Sequence, residues 1–424
     1  MKVCLAYGTS GLEVSLPDGV RVDVIEPAYV AAPVDQAEAV RHALRNPIDS
    51  RPLRELVKPS DTVCIVCNDV TRPTPYHTIL PVLLEELSHV PDEAIVLLIA
   101  TGTHRDCTRD ELKAMLGEPV VDRFRIVQND AWDRPTHALA GTTTSGNQIW
   151  LHQEYLRADV RILTGFIEPH FFAGFSGGGK ACMPGMALLE TIERNHNPGN
   201  IDHPMATWGV TYGNPIWDEF REAALMAPSS FLLNVTLNRE KRITGVFAGD
   251  IERAHERGCE FVRSHAMVPV GMPYDIVITS NSGHPLDLSL YQAVKGMSAA
   301  ARIVKDGGAI ILAADCWDGI PDHGQYKKLL FEADGPAALL ERIRARGGHD
   351  CWQAQIHASI CAKTDVYLFS HNLTDEEIRR AMLKPCRSIA GTVERLLQSF
   401  GPDASICVLP EGPQTIPCLK EKRP

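Results

Sequence analysis

Three short stretches of this chain carry side chains that can do chemistry near neutral pH, and each follows an apolar run. In Asn68-Asp69-Val70-Thr71-Arg72-Pro73-Thr74-Pro75, prolines stiffen a turn and Arg72 offers a planar fork of donors suited to a carboxylate or phosphate. A rigid turn closed by an Asp69–Arg72 pair is the plainer alternative. In Ala100-Thr101-Gly102-Thr103-His104-Arg105, Gly102 permits a tight turn and His104 brings an imidazole that titrates near neutrality. That imidazole can serve as a catalytic base or as a helix cap.

The third stretch is the richest. It runs from Gly165 through Glu168-Pro169-His170-Phe171-Phe172 to Gly174-Phe175-Ser176-Gly177-Gly178-Gly179-Lys180, and Thr191-Ile192-Glu193-Arg194-Asn195-His196-Asn197-Pro198 begins eleven residues after Lys180. Consecutive glycines are costly in backbone entropy, which predicts a close approach to the backbone and amides able to cradle a phosphate. The spacing Gly174-x-x-x-x-Gly179-Lys180 satisfies most of the phosphate-binding loop of nucleotidases, so an ATP-dependent phosphotransferase is one reading. Against it, Ala181 stands where Ser or Thr would ligate magnesium, and Pro169 and His170 interrupt the passage from strand into loop. The chain has neither H-E-x-x-H nor a cysteine quartet with zinc spacing, so a metal bound by one His would need ligands from a cofactor.

Turns after parallel strands are where open α/β sheets place ligands, and the elements around these stretches fit that scheme. Short runs rich in Val, Ile and Leu alternate with amphipathic segments, which predicts an α/β fold with largely parallel sheets. Strands are expected over 62–67, 94–100, 125–128, 159–163 and 231–237, and helices over 76–88, 109–116, 215–226 and 250–264, with Pro81 in the first turn of its helix. Cys64-Ile65-Val66-Cys67 has redox spacing but lies within a strand-like run, so both cysteines are read as buried. The amino-terminal residues 1–8 read as a first strand. A Pro- and Gly-rich segment, Val268-Pro269-Val270-Gly271-Met272-Pro273, suggests a boundary between an amino-terminal cofactor-binding and catalytic domain, 1–268, and a carboxy-terminal α/β domain, 269–424. The second domain is expected to hold strands at 274–279, 309–313, 365–369 and 405–409, helices at 289–304, 325–331, 336–346 and 392–399, and a frayed charged tail, 420–424.

Composition narrows the partners. With 42 Lys and Arg against 53 Asp and Glu, the formal charge of −11 argues against a nucleic-acid binder but not against an anionic small molecule in a locally cationic cleft. No run of about 18 apolar residues is present to span a membrane, no secretory leader is visible, and 12 scattered cysteines suit a reducing cytoplasm.

Taken together and in order, the motifs resemble the lactate racemase family. The likeness covers nearly the whole chain: Asp69-Val70-Thr71-Arg72-Pro73, Thr101-Gly102-Thr103-His104-Arg105, Pro169-His170, Ala173-Gly174-Phe175-Ser176-Gly177-Gly178 with Lys180, and Asn195-His196-Asn197. It continues in Tyr291-Gln292-Ala293-Val294-Lys295-Gly296, Trp352-Gln353 and Val408-Leu409-Pro410-Glu411-Gly412-Pro413. The resemblance implies an isomerase that inverts C2 of a small, lactate-like 2-hydroxy acid in a cleft between two α/β domains. It also implies a nickel-pincer nucleotide, Ni(II)-pyridinium-3,5-bisthiocarboxylate mononucleotide, with cofactor-synthesis enzymes as transient partners. By resemblance His196 is the nickel ligand, Lys180 the thioamide tether, and Asp69, Val70, Thr71, Arg72 and Trp352 contribute to the cofactor seat. Arg72, Gln292 and Lys295 are then the substrate-binding residues. His104 and His170 become the acid/base pair, one taking the hydroxyl proton as the C2 hydride passes to the cofactor, the other returning a proton after hydride returns to the opposite face. Phe171, Phe172 and Trp352 are expected to form an apolar wall against substrate or cofactor. Gly179 stands where the family often has Arg, so a phosphate contact is sought elsewhere, from Arg105 or Arg194. A non-catalytic metallocofactor-binding protein of the same fold is the other alternative.

Overall fold

The computed structural model describes residues 1–17, 19–227, 231–322, 324–401 and 403–419. Two six-stranded sheets organise the chain. The first runs in the order Ile243–Gly249, Phe231–Leu237, Val160–Phe166, Val63–Asn68, Ile95–Ala100, Arg125–Gln128, parallel throughout except for the antiparallel pairing of the two first-named strands. Its central strands are buried on both faces, as parallel strands flanked by helices must be. Cys64 and Cys67 accordingly point to opposite faces of Val63–Asn68 and into separate cores, so they do not form a redox pair. Burial pushes both thiols up, that of Cys67 to about 12.

The second sheet is parallel in the order Lys384–Pro385, Asp365–Phe369, Val304–Ala313, Tyr274–Ser280, Ile406–Leu409, Val22–Val24. The last of these corrects the expected organisation: the first 25 or so residues serve the second sheet, not the first. Lys2–Leu5 and Leu12–Ser15 form a hairpin whose Val3, Leu5 and Val14 pack with Ile276, Ile278 and Val408 of that sheet. Short apolar strands carry no address in their sequence, and the open edge of Ile406–Leu409 is what captures Val22–Val24. Near the expected boundary, Met267–Val270 pairs in parallel with Ile416–Leu419, adding another tie between distant parts of the chain.

Helix Tyr76–Glu86 contains Pro81 at its middle, not in its first turn as expected. A proline there forfeits a hydrogen bond and costs about 3 kcal/mol. Burial of Tyr76, Ile79, Leu80, Val82 and Leu83 on the same helix is what offsets it. The helix following Tyr274–Ser280 spans Leu290–Ala301, and Ser289 caps it by accepting from the Gln292 amide. Helices Gln36–Arg45 and Cys351–Cys361 and the hairpin of His137–Thr142 with Gln148–His152 lie outside the sequence expectations. The tail expected to fray, 420–424, lies outside the described residues. No helix among the described residues is long and apolar enough to cross a membrane.

Candidate active site

The first sheet reverses its strand order between Val63–Asn68 and Val160–Phe166, and such a switch leaves a crevice at the carboxyl ends of the strands. Into it lead the turn after Asn68, the turn after Ala100 and the glycine-rich segment after Phe166. The helix Leu290–Ala301 of the second sheet closes over them. The resulting cavity, about 900 Å³ with its open mouth included, is lined by Asp69, Arg72, His104, His170, Lys180 and His196 from one side and Gln292, Lys295 and Trp352 from the other. Nine of the predicted site residues thus converge across some 280 positions of sequence.

His104 is held by two side chains. Its Nδ1–H donates to Asp69 Oδ2 at 2.6 Å, and Gln292 Nε2 donates to its Nε2 at 3.3 Å. A carboxylate can only accept, so the neutral imidazole keeps its proton on Nδ1 and its lone pair on Nε2. Burial alone would raise the Asp69 carboxyl. The His104 ring, Arg72 and the Thr71 hydroxyl, which donates to Oδ1 at 2.8 Å, together hold it below the usual carboxylate range.

His170 is arranged the other way. It sits in a short ribbon in which Pro169–His170 pairs with Gly174–Phe175, and the Ala173 amide donates to its Nδ1 at 3.2 Å. Its proton therefore lies on Nε2. The rings of Phe171 and Phe172 lie 4.9 and 4.6 Å from its own, and burial together with the nearby Lys180, Lys295 and Arg72 charges pushes its pKa well down.

Lys180 and His196 complete that wall. Burial, reinforced by Arg72, brings the Lys180 amine down to about 7, which leaves much of it neutral and nucleophilic at physiological pH. His196 follows helix Leu189–Asn195; its Nδ1 donates to the Ile192 carbonyl at 3.2 Å, freeing Nε2, and burial lowers its pKa to about 3. A neutral imidazole oriented by a backbone carbonyl is the usual form of a metal-ligating His. Rings of Phe172 and Trp352 at 5.2 and 5.0 Å fix its plane, and Trp352 Nε1 donates to Tyr291 Oη at 2.9 Å. Among the described residues there is no group of three or more His, Cys, Asp or Glu that could hold a metal, so a metal at His196 would take its other ligands from a non-protein group.

From the second sheet, Gln292 and Lys295 lie one helical turn apart, 4% and 6% exposed. Lys295 Nζ, Gln292 Oε1 and Arg72 Nη1 are buried without hydrogen-bond partners. Unpaired buried polar atoms are costly; the two donors lining one cavity suit an anion, and the Gln292 oxygen beside them suits a hydroxyl. Burial, with Arg72 near, depresses the Lys295 amine well below its ordinary range.

Comparison with known proteins decides the family. Residues 7–209 match the lactate racemase N-terminal domain and residues 270–416 the lactate racemase C-terminal domain. The chain is 37% identical over 425 residues to a lactate racemase of Thermoanaerobacterium thermosaccharolyticum, covering 99% of each chain. The chain belongs to the lactate racemase family. A lactate racemase of Lactiplantibacillus plantarum is 38% identical over 384 residues, covering 89% of this chain and 90% of its own. The solved structure of the Thermoanaerobacterium lactate racemase apoprotein superposes with a TM-score of 0.91 at 36% identity, covering 99% of this chain and 100% of that one. A Thermotoga maritima protein, 20% identical with a TM-score of 0.72 over 92% of this chain and 100% of its own, shares the fold.

Not every expected site residue of this lactate racemase family member faces the main cavity. Val70 and Thr71 line an adjoining smaller one that also touches His104 and Gln292, and Thr71 acts on the site through Asp69. Arg105 forks onto Glu111 at 2.8 and 2.9 Å and lines only the smaller cavity, while Arg194 is exposed, so neither supplies a phosphate contact in the main cavity.

The glycines also need correction. A Cβ on Gly179 would stand 2.6 Å from the Phe220 carbonyl oxygen, and one on Gly178 would stand 2.7 Å from the His255 ring. What approaches the backbone is therefore protein. The Gly178 amide donates to Asn234 Oδ1 at 2.8 Å and the Lys180 amide to the Gly177 carbonyl at 3.1 Å, which removes those amides from a phosphate cradle. Tyr291 and Asn68 stand in the motif stretches without an expected role; both line the cavity. The pairing of Asp69 with His104 was missed, because no sequence spacing reveals it.

Proposed function

We propose that this enzyme inverts the C2 configuration of lactate or a close 2-hydroxy-acid homologue, using a nickel-pincer nucleotide seated between His196 and Lys180. The observation that carries the reading is the convergence, in one cavity, of two differently held imidazoles with two unpartnered donors suited to an anion, Lys295 Nζ and Arg72 Nη1, and one unpartnered acceptor, Gln292 Oε1, suited to a hydroxyl. The residues fit the cofactor: a neutral imidazole with free Nε2 suits nickel, and a half-neutral lysine suits an electrophilic thioacid. When bound, the group supplies an acceptor for the C2 hydrogen with its electron pair.

The protein's own part is to hold the acid and move its protons. Lys295 and Arg72 bind the substrate carboxylate, with Gln292 between that contact and His104. For one enantiomer the hydroxyl proton passes to Nε2 of His104, and Asp69 stabilises the imidazolium that forms. For the mirror image the hydroxyl proton passes to Nε2 of His170 once that ring has shifted its own proton to Nδ1, giving up the Ala173 amide contact. Phe171 and Phe172 exclude water from that side.

The test is to purify the protein after co-expression with cofactor-synthesis enzymes. Bound nickel, an intact-mass adduct lost in Lys180→Ala, and interconversion of D- and L-lactate are expected. Absence of nickel, adduct and interconversion alike would refute the proposal.

A further inference from the structure

Glu219 is a buried carboxylate for which the chemistry above has no use. It is 5% exposed and sits on the buried stripe of helix Pro215–Met226, beside Ile216, Phe220 and Ala223. It forms no ion pair among the described residues. Instead its oxygens accept from neutral donors: Asn195 Nδ2 at 2.8 Å and Asn147 Nδ2 at 3.1 Å on Oε2, with Thr143 Oγ1 at 3.3 Å and Ser145 Oγ on Oε1. A carboxylate without a cation is an expensive choice for an apolar stripe, unless the donors that it gathers must be held.

One of those donors, Asn195, adjoins His196; Thr143, Ser145 and Asn147 lie in the turn between His137–Thr142 and Gln148–His152, which packs beside it. Asn195 ends helix Leu189–Asn195 and directly precedes His196; besides Glu219, its amide group reaches the Ile216 carbonyl at 3.2 Å. Asn147 donates also to the Thr191 carbonyl of the same helix at 3.0 Å. Glu219 thus grips the His196 helix at two points. The next residue, Phe220, presses its carbonyl against Gly179 and its ring lies 5.9 Å from His196. One helix therefore backs both the lysine loop and the His196 turn, the two places that must meet a single bound group.

We propose that Glu219 is a positioning residue: through Asn195 and Asn147 it fixes the turn carrying His196 and so sets the aim of the imidazole Nε2 relative to Lys180. The proposal rests on the reading of His196 as nickel ligand and Lys180 as tether. Glu219→Gln keeps the shape and an oxygen able to accept from both asparagines, whereas Glu219→Ala leaves both donors unpaired.

The experiment measures nickel and intact-mass adduct in the same purified, co-expressed samples, together with visible absorption. Wild type and Glu219→Gln should agree within about twofold, while Glu219→Ala should keep the adduct but lose about tenfold in nickel per adduct, the scale of outer-shell effects on metal affinity. Should Glu219→Ala fail to fold, Asn195→Ala removes the link while sparing the other donors to Glu219, and the same drop is expected. A wild-type ratio and spectrum in the folded Ala variant would overturn the positioning role. A wild type without nickel or adduct would overturn the functional reading itself, and the role with it.

Discussion

At one point of the cavity His104 is 22% exposed and tied to two side chains, Asp69 and Gln292; at another His170 is buried and tied to a backbone amide. The first arrangement makes Nε2 an acceptor, met by the Gln292 amide, and the second leaves an N–H there. Two histidines with the same assigned chemistry are thus prepared for opposite first acts. For a racemisation the equilibrium constant is one by mirror symmetry, so kcat/KM must be equal for the two enantiomers at every pH. The inequality of the two histidines can surface only in kcat and KM taken separately.

The largest effects should come from the imidazoles. Replacing His104 or His170 by Ala in the cofactor-loaded enzyme should lower kcat by about 100- to 10,000-fold for both enantiomers, the range of general acid/base catalysis. Normal racemisation by either variant would erase the comparison. Asp69→Asn should act on His104 alone: an amide can accept from Nδ1–H or donate to Nδ1, so it no longer fixes one tautomer, and it carries no charge to offset the imidazolium. We expect a loss of about 100-fold in kcat with the cofactor adduct unchanged, and equal loss of adduct would show that Asp69 serves the cofactor instead.

Lys295→Met separates binding from chemistry. It removes an unpaired buried amine, so KM for lactate should rise by about tenfold or more while the unfolding temperature rises by about 1–3 °C. A fall in unfolding temperature would mean that the amine has a structural partner.

The smallest expected effect is on stability against pH. Burial lowers His255 and His357 to about 4, and with them His152. Their unfolded counterparts take up protons near 6.5, so between pH 6.5 and 4 the unfolded chain binds more protons and is favoured. The stabilising contribution is complete above pH 6.5 and is lost as pH falls toward 4. A thermal midpoint several degrees lower at pH 4.5 than at pH 7 is expected; a flat profile would contradict the neutral, buried state of these rings.

Much of this was readable from residue order. The alternation of Val63–Asn68, Ile95–Ala100 and Tyr274–Ser280 with amphipathic segments announced parallel sheets because strands buried on both faces must be apolar at every position. The motif turns announced the site because ligands gather at strand ends. The capture of Val22–Val24 by the second sheet was not readable, since strand pairing is a long-range contact between short segments that carry no distinguishing pattern. Nor was Glu219: its partners at 143, 145, 147 and 195 come together only through folding.

By itself, then, the sequence determined which chemistry was available: imidazoles, an amine beside glycines, and an Arg and a Lys able to meet an anion. The tertiary structure decided the state of each group. Protonation and tautomer depend on what lies within about 3 Å of an atom and on how much water is excluded. Asp69 fixed the Nδ1–H tautomer of His104, the Ala173 amide the Nε2–H tautomer of His170, and burial beside Arg72 brought Lys180 to about 7.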